Sequence, residues 1–291
     1  MKLLGAIEGG GTKFVVAVGT EDGQIQQIES FPTTTPEETM DRTVAFFKDK
    51  GVSSIGFGSF GPVDLNPNSP TYGHIAKTPK PHWSGYDVVG HLKRHLNVPV
   101  GFDTDVNGAA LGEATFGAAK GLNSCLYITV GTGIGAGAVV EGKLVHGLLH
   151  PEMGHIMVKR HPEDTYEGKC PYHKDCLEGL AAGPAIEARW GVKAYELGEE
   201  HKAWELQTFY LAQALMNYIL TISPEKIILG GGVSKQLHLF PRIREQVKTL
   251  LNGYVQHPAI LEVNEDYIVP PALQDRAGIT GALALAVQAL K

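Results

Sequence analysis

Cysteine is scarce in this chain, with 3 in 291 residues, which excludes the disulfide framework of a small secreted domain. Basic charge is also short: 25 Lys and Arg stand against 31 Asp and Glu, a formal net charge of -6. With no lysine-rich or arginine-rich tail, that balance excludes the basic face on which nucleic acid binds. No apolar run approaches membrane-spanning length, and the opening run Leu3 to Ile7 meets Glu8 before a signal-peptide core could form. Low-complexity linkers are missing too. A cytoplasmic protein without nucleic-acid or membrane partners is the expectation. What is present is an ordinary globular composition, 43% hydrophobic and 19% charged, enough for one large domain or two moderate ones.

Two of the cysteines fall in one polar stretch, His150 to Gly179. It reads His150-Pro151-Glu152-Met153-Gly154-His155 and, after a variable run, Cys170-Pro171-Tyr172-His173-Lys174-Asp175-Cys176-Leu177-Glu178. Two soft thiolates flank an imidazole at two-residue gaps, and His155 adds a second imidazole. His155, Cys170, His173 and Cys176 therefore make four ligands for a tetrahedral zinc, and four protein ligands leave no open position, so the metal is expected to be structural. Glu152 and Glu178 sit just outside the set, where a closed loop would bring them together against a polyhydroxylated ligand. Cys125 instead opens the apolar run Leu126 to Val130, which reads as a buried strand.

Three glycine turns punctuate the chain. Leu3 to Ile7 runs into Gly9-Gly10-Gly11-Thr12-Lys13 and a second strand, Phe14 to Val18. The arrangement recurs as Leu126 to Val130, Gly131-Thr132-Gly133-Ile134-Gly135, and Ala136 to Val140. Two such units point to a duplicated architecture. Glycine between strands lets backbone amides approach an anion, so each turn is a candidate phosphate cradle in a nucleotide cleft. The third turn, Gly230-Gly231-Gly232-Val233-Ser234, follows a strand from Lys226 to Leu229 and could take adenine and ribose.

Between these turns strands and helices alternate. Thr35-Pro36-Glu37-Glu38 opens a helix to about Lys50, and the strand Ser54 to Phe60 carries Gly56 and Gly58, where a second backbone or a ligand could come close. A long loop, Gly61 to Trp83, is expected to wall a ligand. Ser84 is expected to cap a helix to about Asn97, and Val98 to Phe102 delivers Asp103-Thr104-Asp105 at a strand's carboxyl end, where open α/β sheets bind ligands. Asp105 there could also serve as a helix N-cap. Later helices are expected from Pro184 to Trp190 and from Lys202 to Thr221, the latter with Phe209, Ala212, Met216, Ile219 and Leu220 on one face. The last, from Gly278 to about Leu290, is apolar all round, hence buried or set against a partner.

Taken together, Gly9 to Lys13, Ser59-Phe60-Gly61-Pro62-Val63, Thr78-Pro79-Lys80-Pro81, Asp103 to Asn107, Gly131 to Gly135, Pro151 to His155 and Cys170 to Gly179 resemble the ROK family of bacterial sugar kinases, and within it the fructokinase branch, over essentially the whole length. The resemblance implies an actin-like, duplicated ribonuclease-H-like α/β fold, two domains around a cleft with a zinc-binding loop. It also implies transfer of phosphate from ATP with Mg2+ to D-fructose. Asp105 then takes the role of general base. Glu152, His155 and Glu178 become sugar ligands beside Asp105, with His155 also on zinc through its other nitrogen. Gly9, Gly10, Gly11, Thr12 and Lys13, with Gly131, Thr132 and Gly133, become phosphate contacts, and Gly230, Gly231 and Gly232 the adenosine motif. Two residues depart from the family pattern: Glu8 replaces the usual aspartate expected near hydrated magnesium, and Thr104 replaces an asparagine that contacts sugar. The expected division is residues 1–115 with 278–291 against residues 116–277, and a homodimer is expected from the apolar long helix and the family's habit of pairing.

Rival readings differ in class. A hexokinase preferring glucose, mannose or N-acetylmannosamine would share every motif above. A sugar-responsive transcriptional regulator would need a DNA-binding module, whereas this sequence starts at its first strand. A sugar-binding protein without kinase activity would lack the base that Asp105 supplies.

Overall fold

The computed structural model describes residues 2–291, and its two five-stranded sheets share one topology. In the first, β1 (Leu3–Gly9), β2 (Lys13–Thr20) and β3 (Ile25–Pro32) form an antiparallel meander. Helix α1 (Pro36–Phe47) leads to β4 (Ile55–Ser59), α2 (Val88–Leu96) to β5 (Val100–Thr104), and the sheet order is β3-β2-β1-β4-β5. Helix α3 (Asp105–Phe116) then crosses to the second sheet, where β6 (Cys125–Val130), β7 (Ile134–Val140) and β8 (Lys143–Leu144) repeat the meander. After α4 (Leu177–Ala181), α5 (Gly183–Trp190) and α6 (Ala203–Ile222) come β9 (Ile227–Gly230), α7 (Leu239–Leu251), α8 (Pro258–Leu261) and β10 (Ile268–Val269), and finally α9 (Ala277–Gln288). The order β10-β9-β6-β7-β8 matches the first sheet strand for strand. In both, the first strand is antiparallel to the second and parallel to the fourth. The expected duplication is there.

Side chains alternate across each strand, so a strand apolar on both faces must be covered twice. Leu4, Ala6, Val15 and Ala17 meet α9 through Ile279, Ala282, Leu283 and Ala286. The opposite face sets Ile7, Phe14 and Phe57 against Phe47, Trp83 and Leu92. The long loop belongs to this second layer: Trp83 is fully buried and donates its indole N–H to Thr34 O at 3.0 Å.

Helix ends follow local chemistry only in part. Thr35 accepts from the Glu38 N–H and Pro36 opens α1 as expected, but the helix stops at Phe47, with Asp49 and Gly51 both left-handed. Ser84 does not cap α2. Its hydroxyl closes a turn on the Thr78 backbone, and Asp87 takes the N-cap, accepting from the Gly90 N–H at 2.6 Å. Of the apolar face expected on α6, Ala212 and Ile219 are buried and Phe209 and Met216 pack on the core, whereas Leu220 is 48% exposed; Trp204, Tyr210, Leu211, Leu215 and Tyr218 are buried as well. That helix is apolar nearly all round, so its neighbours decide which side shows. With most of α6 turned into its own core, the helix ceases to argue for a dimer, and α9 likewise is buried within the chain.

Helices α3 and α9 exchange sheets. The first leaves β5 but packs on β6 and β7, and the second follows β10 but packs on β1 and β4. They touch where both backbones lack side chains: a Cβ on Gly281 would lie 1.8 Å from Gly108 O. Gly56 is explained by the same helix, since a Cβ there would lie 1.8 Å from Ala282 O. The close approach anticipated at Gly56 is thus a second backbone.

Candidate active site

Asp105 opens α3 where β5 ends. Thr104 Oγ1 accepts from the Asn107 N–H at 3.1 Å, so Thr104 is the N-cap and Asp105 occupies the first helical position, its Oδ1 accepting from the Val106 N–H at 2.8 Å. The cap role weighed for Asp105 therefore falls to its neighbour, because a threonine in extended conformation already reaches the N3 amide. The Asp105 carboxyl is pushed up from 3.8 to about 7, by burial first and by the charges of Glu8 and Glu152 besides, against the lowering donation from Val106. Behind it, buried Asp103 accepts from the Thr104 N–H and the Asn107 amide, both at 2.7 Å, and meets His146 Nε2 at 2.8 Å. That contact raises the His146 pKa.

A cleft of about 580 Å³ brings Asp105 together with Gly131, Thr132, Gly133, Glu152, His155 and Glu178. Glu178, at the start of α4, accepts from the Ile134 N–H at 2.9 Å and faces His155 Nε2 at 4.0 Å. Gly133 owes its identity to that carboxylate, since a Cβ there would lie 2.7 Å from Glu178 Oε2. A larger hollow of about 930 Å³, between the Val63 to Gly85 loop and His146 to Leu149, is walled by the long loop but holds none of the catalytic, sugar, phosphate or metal residues expected from the sequence.

The four expected metal ligands converge, with their donor atoms within 4.8 Å of one another. His155 Nδ1 lies 3.7 Å from Cys170 Sγ and 3.5 Å from Cys176 Sγ, and His173 Nδ1 lies 3.7 Å from Cys170 Sγ. A tetrahedral zinc with Zn–S of about 2.3 Å and Zn–N of about 2.05 Å needs N···S edges of about 3.6 Å. The donor set fits zinc. His155 turns Nδ1 to the cluster and Nε2 to the cleft, the division expected of it.

The other glycine turns line other surfaces. Gly10 N–H donates to Lys13 O at 3.0 Å, closing the first turn, and Gly9 is fixed by packing, because a Cβ there would lie 2.6 Å from the Phe57 ring. Gly11 faces open space, with Thr12 and Lys13 exposed. Gly230 and Gly231 line a separate hollow of about 280 Å³ with Ser234, Pro271 and Asp275. Gly232 sits beside Gly131, a Cβ on the latter reaching within 4.0 Å of Gly232 N. Glu8 is buried enough to raise its pKa, against the lowering pull of Lys13 and of the Ile279 N–H at the start of α9. A Cβ at Gly278 would lie 2.5 Å from Glu8 Cδ, so a glycine makes room for the longer acid.

Two residues that line the cleft had no role assigned from sequence, Lys77 from the long loop and His150 from the strap after β8, and from the same strap His146 reaches Asp103 behind the site. Only His150 carried a signal, its place two residues before Glu152.

Two sheets of one topology with a cleft between them define the actin-like, duplicated ribonuclease-H-like class of α/β proteins. Within that class the chain belongs to the ROK family, whose description matches residues 4–289. It is 56% identical over 289 residues to a putative fructokinase of Bacillus subtilis (strain 168), covering 99% of this chain and 97% of that one. To a fructokinase of Pediococcus pentosaceus it is 48% identical over 289 residues, 99% of each. A ROK hexokinase from Thermus thermophilus superposes with a TM-score of 0.81 at 26% identity, covering 99% of both chains.

Proposed function

We propose that this enzyme transfers the γ-phosphoryl group of ATP to the 6-hydroxyl of D-fructose. One observation carries the reading: a carboxyl raised to about 7, Asp105, faces the same cleft as Glu152, His155 and Glu178. The names of relatives at 44% to 56% identity, all fructokinases or putative fructokinases, supply the sugar. A general base works best with a pKa near the working pH, and Asp105 accepts the hydroxyl proton as that oxygen attacks. Glu152, Glu178 and His155 Nε2 hold other sugar hydroxyls. Gly11, Thr12 and Lys13, with Gly131 and Thr132, cradle phosphates, and Gly230 to Gly232 border the adenosine. Glu8, whose charge reaches Asp105, faces the magnesium that ATP brings, which neutralises charge on the phosphates. Structural zinc on His155, Cys170, His173 and Cys176 keeps the sugar ligands in place.

This reading treats residues 1–115 with 278–291 as one lobe and 116–277 as the other, closing over substrates in the cytoplasm to exclude water. Separate buried clusters, one drawn from residues 7–102 and one from 126–268, support two lobes, and Ala109 and Ala110 of α3 join Cys125, Tyr127 and Val139 in a further cluster that bridges them. Pairing of two chains belongs to the reading as well, and a light-scattering mass of 31.3 kDa would remove it. The deciding assay couples ADP release to hexoses in turn. Fructose should give the highest kcat/KM, with mannose a weaker second; a clear preference for glucose would overturn the fructose assignment.

A further inference from the structure

We propose that His150 is a positioning residue that holds Glu152 toward the sugar and ties it to the opposite wall of the cleft. The inference rests on the reading of that cleft as the sugar site. His150 is a buried histidine outside the metal set, its side chain 5% exposed. Its Nε2 accepts from the Val63 N–H at 3.2 Å. A neutral ring has one N–H, so accepting at Nε2 places the hydrogen on Nδ1. Nδ1 faces Glu152 Oε1 at 3.5 Å. That spacing is a polar contact somewhat longer than an ordinary hydrogen bond.

The two contacts join different parts of the molecule. Val63 follows β4 of the first sheet, and Glu152 lies beyond β8 of the second. Gly61 completes the layer: a Cβ there would lie 3.4 Å from His150 Cε1 and 3.9 Å from Glu152 Oε1. The ring is therefore wedged between the wall and the carboxylate. Glu152 needs such a guide, because its side chain is 53% exposed and its carboxylate takes no hydrogen bond among the described residues, whereas Glu178 is fixed by the Ile134 N–H. His146, four residues earlier, pins the same strap to Asp103. With both histidines in place, Glu152 keeps its distance from Asp105, and the hydroxyl it binds keeps its place relative to the base.

The test pairs two variants with a double-mutant cycle. Glutamine can accept from Val63 through its carbonyl and donate to Glu152 through its amide, whereas leucine fills the space and does neither. H150L should raise the fructose KM about tenfold, the factor for losing about 1.4 kcal/mol of sugar binding, with the ATP KM unchanged and kcat nearly so. H150Q should restore most of the loss. In an E152Q background, H150L should add little, because the two act as one unit. An H150L fructose KM equal to wild type overturns the proposal, and so do fully additive effects in the cycle. Should H150L fail to fold, H150A takes its place in the cycle: a raised fructose KM for H150A that adds little in the E152Q background supports the proposal, and a wild-type fructose KM or fully additive effects overturn it. Wild type inactive on every hexose overturns the parent reading instead.

Discussion

Asp105 is held in an environment that favours its proton. Its folded pKa of about 7 lies above the ordinary 3.8, so kcat/KM should rise with pH through that region as the base is freed. Asp105→Asn keeps the side-chain shape and should lower turnover by about 100-fold or more; near-normal turnover in a folded sample would sink the mechanism. The same shift predicts a stability effect. Between about pH 4 and 7 the native state keeps a proton that the unfolded chain has released, so wild-type stability falls as pH rises through that window. Asparagine has no charge to bury. The variant should therefore melt at least about 2 °C above wild type at pH 8, the shift for about 1 kcal/mol in a chain of this size, and show no gain at pH 4. At this scale the sequence marked Asp105 at a strand's end but offered it as the helix cap too, a role the backbone gives to Thr104.

The loop that gathers His155, Cys170, His173 and Cys176 is the element whose site was most legible. Cys170, His173 and Cys176 are sequence neighbours, so their spacing nearly determines their geometry, and only His155 had to arrive from elsewhere. Chelation should raise the fructose KM about tenfold, lower the melting temperature and leave the ATP KM unchanged, and zinc added back should reverse all three. Purified protein with no stoichiometric zinc would end this account. Other elements were legible in position but not in detail. The ends of α2 and the exposed side of α6 turn on contacts that no local pattern encodes: Ser84 was drawn away to Thr78, and α7 and α4 cover sides of α6 that its composition does not distinguish.

For the whole molecule, the duplication was legible in two strand, glycine-turn, strand units, but the exchange of helices between sheets was not. Gly108 and Gly281 mark the crossing, and nothing in sequence says which glycine meets which backbone. Gly281→Ala would place a methyl 1.8 Å from Gly108 O and should destabilise by about 2 kcal/mol or more, since backbone cannot yield as a side chain can. A thermal midpoint unchanged from wild type would contradict the crossing. The exchange also bears on how the protein is made. Proteins emerge from the ribosome N-terminus first and tend to fold in that order, but the face bearing Leu4, Ala6, Val15 and Ala17 finds its cover only in residues 279–286. The first sheet to be synthesised is thus among the last to be finished, and until α9 is released a nascent chain carries a bare apolar surface for a chaperone to hold.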